Sequence, residues 1–180
     1  MTTLEAYDEI IRLCADIFQK KNQDYGSSWR IMRLSSITDQ ILIKAARIRS
    51  IEEKGSQEVA DPIEEDYMGI INYAIIGIIQ KRFGGDEQFS YSEEEVWKAY
   101  KDVVKEIRAL LEAKNSDYGE IWKKMRVSSY TDLILMKLER LQQIHDHKNE
   151  VRYSEGLESH YMDIVNYSIF ALIKTKSLTS

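Results

Sequence analysis

The chain has 180 residues, 43% of them hydrophobic and 31% charged, a balance that supports a packed core and excludes a disordered or fibrous chain. Its net charge of −5 argues against a broad nucleic-acid surface, although a local cluster of Lys and Arg still suffices for a small phosphate-bearing ligand. The lone Cys14 excludes a disulfide framework and a cysteine metal knuckle.

No apolar run reaches the roughly 18 to 20 residues of a membrane span, so no membrane partner is expected. The opening "MTTLEAYDEIIRLC" is acidic and amphipathic, without the basic-then-apolar pattern of a signal peptide, and the expected location is cytoplasmic. One Pro and eight Gly suit long helices with short connections better than a many-turned β fold.

In chain order, the first predicted helix carries Ile10, Ile11, Cys14, Ile17 and Phe18 at helical spacing. The string "KNQDYGSSW", from Lys21, reads as the connection after it, with Gly26 in a turn that needs positive φ. A second helix is expected to start near Ser36 and Asp39 and to stop before Gly55. The third is expected at Asp61-Pro62, an N-cap followed by Pro at the first helical position, and runs through "IEEDYMGIINYAIIGIIQK". Gly84-Gly85 closes it and opens a linker over 85–91. The next helix starts at Ser92, with Glu95 three residues on in a capping-box pattern.

From there the sequence repeats itself. "KNSDYGEIW" begins at Lys114, 93 residues after Lys21, and "KNQDYGSSWRIMRLSSITDQILIKAARI" lies over "KNSDYGEIWKKMRVSSYTDLILMKLERL" with more than half the positions identical. After one inserted residue, "YMGIINYAI" lies over "YMDIVNYSI". The predicted fold is therefore all-α: six main helices from two three-helix repeats, 1–84 and 92–180. They pack about a pseudo-two-fold axis into one domain, like a fused homodimer. Further homo-oligomerisation stays open.

Polar residues fall where a buried helix should have none. At 100° per residue, Lys137 lies on the apolar face made by Ile134, Leu138, Leu141 and Ile144, with Arg140 on its rim; Lys44 and Arg47 repeat this. The third helix of repeat two carries a narrow stripe of His160, Asp163, Asn166 and Tyr167 on an otherwise apolar surface. A buried cation needs an anion, so Lys137 and Arg140 are both expected within reach of an acid, Asp163 first. In repeat one Asn72 and Tyr73 remain, but Gly69 stands in the place of Asp163. There either Asp66 compensates, or Lys44 and Arg47 meet an anion from the other repeat or from a ligand phosphate. The stripes of both third helices are expected to face a shared interior.

The duplicated string supplies donors in Lys21, Asn22, Lys114 and Asn115, and an acceptor in Asp24 or Asp117. Tyr25, Trp29, Tyr118 and Trp122 add flat faces, and Arg33 and Arg126 complete the candidate binding set. The competing reading makes the aromatics core anchors and the Asp a cap.

With those residues in view, "KNSDYGEIW … MKLERL … EGLESHYMDIVNYSIFALI" resembles the nucleotide modification associated domain 1 family. Lys114, Asp117, Tyr118 and Gly119 match its first element, Lys137, Arg140 and Leu141 its second, and Glu155, Asp163, Asn166 and Tyr167 its third. Repeat one matches through Lys21, Asp24, Tyr25, Gly26, Lys44, Arg47, Asn72 and Tyr73. Met136, Ile43, Ser159, His160 and Gly69 depart from the pattern. The resemblance implies a role in nucleotide or modified-nucleotide metabolism with a small-molecule nucleotide as partner.

The chain is also loosely similar to the all-α NTP pyrophosphatases of the MazG and dimeric dUTPase type. That likeness implies Mg²⁺ held by Glu139 and Asp163, which would then be the catalytic acids of a hydrolase acting on a nucleoside triphosphate. Repeat one, with Ala46 and Gly69 at those places, would lend cations and aromatics only. The alternatives are a non-catalytic nucleotide sensor or modification-associated subunit, and a structural helical module that binds a protein.

Overall fold

Helix α1 (Thr3–Tyr25) starts with a capping box: the Thr2 hydroxyl accepts from the Glu5 amide, and the Glu5 carboxylate accepts from the Thr2 amide at 2.8 Å. Its copy α4 (Glu93–Tyr118) starts the same way on Ser92 and Glu95, as the sequence predicts. Both helices run further than expected. "KNQDY" and "KNSDY" form their last turns rather than connections, and the chain leaves the helix only at Gly26 and Gly119, each at φ 63°. An L side chain is strained at that angle, which is why the string ends on Gly twice. The expectation of positive φ holds; that of a non-helical string does not.

The computed structural model describes residues 1–84, 91–147 and 156–179, so most of the expected 85–91 linker, and Glu155, lie outside the described residues. One turn of 3₁₀ helix follows each first helix, at Ser28–Ile31 and Ile121–Lys124. Helices α2 (Leu34–Lys54) and α5 (Val127–Asp146) begin two residues before the expected Ser36 and Ser129. Their N-caps are Arg33 and Arg126, whose side chains make no capping bond. Helix α2 stops at Gly55 in the left-handed region. Helix α3 (Ile63–Phe83) has Pro62 as its N-cap rather than as its first helical residue. Helix α6 (Leu157–Thr175) closes the second repeat. Among the described residues there is no strand, and no helix is long and apolar enough to cross a membrane.

Helices α2, α3, α5 and α6 form a four-helix core, with α1 and α4 each laid against both third helices. Ile70, Ile71 and Ile75 of α3 and Ile164, Val165 and Ile169 of α6 are fully buried there. Neither repeat could hide such a helix alone.

Two pairs of matched hydrogen bonds stitch the copies together. The Tyr67 and Thr131 hydroxyls lie 3.0 Å apart and those of Tyr161 and Thr38 2.7 Å apart. Tyr7 donates to Asn166 Oδ1 at 3.1 Å, and Tyr100 donates to Asn72 Oδ1 at 2.8 Å. Each bond joins a residue of one copy to the other copy, and each has its counterpart under the exchange of copies. The pseudo-two-fold relation therefore reaches individual atoms. It also corrects one expectation. The stripes share the interior through Asn72 and Asn166 only, whereas Asp66 and Asp163 turn to cations of their own repeat.

Candidate functional site

In repeat two, Asp163 is buried between two ammonium groups, Lys137 Nζ at 3.1 Å and Lys114 Nζ at 3.2 Å. Lys137 keeps 12% of its side chain exposed, so the helix-face argument placed it correctly. Arg140 does not follow: it is exposed, with no acid in reach among the described residues. Burial, and then Lys137 and Arg140 beside it, hold the His160 imidazole below its ordinary value. Its Nδ1 has no hydrogen-bond partner.

Trp122 is buried and stacked on Phe170, with ring centroids 4.6 Å apart, so it is a core anchor. Tyr167 is half-buried beside Tyr130. Tyr118, Asp117 and Arg126 are exposed, and Asn115 is half-buried.

Repeat one keeps the backbone and changes the contents. Asp66 takes the guanidinium of Arg47, which also donates to the Asp61 carbonyl at 2.8 Å. This is the compensation that the sequence left open, and it serves Arg47 alone. Lys44 has no acid partner among the described residues, and its chain lies across Gly69: a Cβ at Gly69 would stand 2.7 Å from Lys44 Cε.

Where repeat two has Asp163 and Phe170, repeat one has Gly69 and Ile76, and both of these line a cleft. A cleft of about 790 Å³ opens between the end of α1, the first 3₁₀ turn, α2 and α3. Lys21, Asn22, Tyr25, Trp29, Lys44, Asn72 and Tyr73 all line it. Seven residues chosen from sequence alone thus meet at one place. Lys21 is exposed and, like Lys44, lacks an acid partner among the described residues. Tyr25 presents its ring with 76% of the residue exposed, and Trp29 is half-buried, unlike Trp122.

Other candidates serve the fold. Asn72 is held on both sides, donating to the Cys14 carbonyl at 3.0 Å and accepting from Tyr100. Asn22 donates to the Glu93 carbonyl at 3.3 Å, leaving its buried Oδ1 without a partner. Asp24 and Arg33 are exposed and do not line the cleft.

The sequence reasoning missed Asp61, Glu65, Met68 and Ile76, which also line the cleft. Comparison of the repeats gave little signal for them: with Tyr67 over Tyr161, Asp61 falls on Glu155 and Glu65 on Ser159, neither identical, and Met68 and Ile76 are apolar.

Among the described residues, the candidate acids are poorly disposed to hold Mg²⁺. Glu139 is exposed, Asp163 is saturated by two lysines, and Asp66 is taken by Arg47. Among the described residues, no three or more His, Cys, Asp or Glu side chains gather where they could hold a metal. Magnesium demands several hard oxygens around one point, and lysine-bound carboxylates supply them poorly.

Comparison with known proteins gives one match. The model of the nucleotide modification associated domain 1 family matches residues 21–80 and again 114–175. Searches of curated proteins and of solved structures each find no match to the chain.

Proposed function

The chain belongs to the nucleotide modification associated domain 1 family, which it carries twice in tandem, and from that premise we propose that repeat one binds a nucleotide in the cleft between α1, α2 and α3. One observation carries the reading: Lys21 and Lys44 both line this cleft and neither has an acid partner among the described residues. For Lys44, which is half-buried, an ammonium outside any ion pair is costly, and a bound phosphate would lower that cost.

The cleft volume falls within the range of about 300–1,000 Å³ usual for small-molecule sites. Tyr25, Trp29 and Tyr73 offer flat faces to a base or sugar. The side chains bind and orient. Since Asp163 is tied to two lysines and Glu139 stands exposed, no hydrolytic step is assigned to them, and the reading favoured is a binding or sensing subunit.

Calorimetric titration of the purified chain with nucleoside phosphates tests this. Binding is expected, and Lys44→Met should weaken it about tenfold or more, the range of one charge-assisted contact. Absence of binding, or unchanged affinity in Lys44→Met, would overturn the site. Mg²⁺-dependent release of pyrophosphate that Asp163→Asn abolishes would instead support a hydrolase acting in repeat two.

A further inference from the structure

We infer that the repeat-one cleft takes a nucleoside monophosphate and that Asp61 and Glu65 make it reject longer phosphate chains; the inference rests on the nucleotide-binding reading above. The cleft has walls of opposite sign. Lys21 and Lys44 bring two cations, and Asp61, Glu65 and Asp66 line the same space from the start of α3. Asp66 is neutralised by Arg47, but the carboxylates of Asp61 and Glu65 have no basic partner among the described residues.

Their spacing is short. Lys44 crosses α3 at Gly69, one helical turn beyond Glu65, or about 6 Å along the axis. A single phosphate, carrying about two negative charges, is matched by the two lysines. Each further phosphate adds negative charge beyond what these two lysines match, beside two carboxylates and with no metal-holding cluster among the described residues to screen them. At such distances like charges repel appreciably even in water. The same carboxylates accept hydrogen bonds from sugar hydroxyls or base amino groups. A compact dianion at one end and donors at the other describe a nucleoside monophosphate.

The test measures affinities of the full chain for a nucleoside, its mono-, di- and triphosphate, and inorganic phosphate, in chelator-treated buffer. The monophosphate should bind tightest, with affinity falling at each added phosphate. Asp61→Asn/Glu65→Gln should raise triphosphate affinity, relative to that for the monophosphate, on the order of tenfold. Both side chains are exposed, so the variant should fold, which its circular dichroism and melting curve check. A wild-type chain that prefers the triphosphate, or a double variant with an unchanged ratio of the two affinities, overturns this inference and leaves nucleotide binding standing. Binding of no nucleotide, or of inorganic phosphate as tightly as the monophosphate, overturns both.

Discussion

Repeat one and repeat two share a backbone plan and most of a motif, yet in repeat one the motif's two lysines line a cleft, whereas in repeat two they are paired with an acid. Two exchanges account for the difference. Asp163 in repeat two draws Lys114 and Lys137 onto itself, whereas Gly69 in repeat one leaves Lys21 and Lys44 unpaired. Phe170 covers Trp122, whereas Ile76 leaves Trp29 half-exposed. After a duplication, then, a lost acid can mark the working copy, because the remaining acid satisfies cations that a ligand would otherwise engage.

The sharpest way to break this contrast is to write repeat two into repeat one. Gly69→Asp/Ile76→Phe should abolish nucleotide binding, weakening it by roughly 100-fold or more, since a new carboxylate captures Lys44 and a ring fills the space. At Gly69 only the flexible end of Lys44 must move, and the melting temperature of the double variant checks that the buried Ile76→Phe is also accommodated. Retained binding in titration calorimetry would show that the cleft is not the site.

The reciprocal change, Asp163→Asn, leaves Lys137 with no anion in a nearly buried setting. It should cost about 2 kcal/mol in urea unfolding, with nucleotide affinity of repeat one unaltered. Weaker effects probe what the repeats share. Tyr7→Phe and Tyr100→Phe each strand a buried Asn oxygen and should cost about 1 kcal/mol, in similar measure if the symmetry is energetic as well as geometric.

The smallest effects concern a matched pair of opposite chemistry. His145 reaches Thr38 at 2.8 Å, and Glu52, its counterpart in repeat one, is hydrogen-bonded to Thr131. Burial lowers the His145 value and raises that of Glu52. Below the ordinary imidazole value, near 6.5, the unfolded chain binds a proton that the folded one resists, so stability falls as pH drops. For Glu52 the sign is opposite: its contribution is present below the ordinary carboxylate value and is lost as pH rises through the raised one. His145→Gln should therefore flatten the decline in melting temperature between pH 7 and about pH 5.5, and Glu52→Gln should slightly raise stability at pH 7.

Much of the fold was legible because periodicity and punctuation act locally. The six helices, the stop at Gly55 and the Ser92–Glu95 cap follow from the spacing of a few residues. The Thr2–Glu5 cap carried the same signal and went unread. Boundaries slipped where side chains do not decide them, as at Arg33 and Arg126, which cap through backbone conformation alone. Lys137 against Asp163 was legible because a cation on an apolar face demands a partner. Arg140 escaped that logic by lying just far enough round the helix to reach solvent.

The site was half legible. Its cations and aromatics stood out as a duplicated string, but the sequence weighed in favour of the repeat that kept its acid. Space cannot be read from polar residues: the cleft is lined as much by Met68, Gly69 and Ile76 as by the charged string. The tyrosine bonds across the copies went unseen because each joins positions far apart, although Tyr7 and Tyr100, and Thr38 and Thr131, recur at the 93-residue offset.

Those tyrosine bonds also set an order of assembly on the ribosome. Helix α4 finds its seat already made, since Tyr100 meets Asn72 only 28 residues upstream. Helix α1 does not, because the asparagine that receives Tyr7 lies 159 residues downstream in α6. The nascent chain must therefore carry the isoleucine-rich surface of α3 with half its cover missing until the second repeat emerges. The second half thus supplies cover that the first lacks, and a chain cut at the junction is expected to aggregate more readily than the whole one.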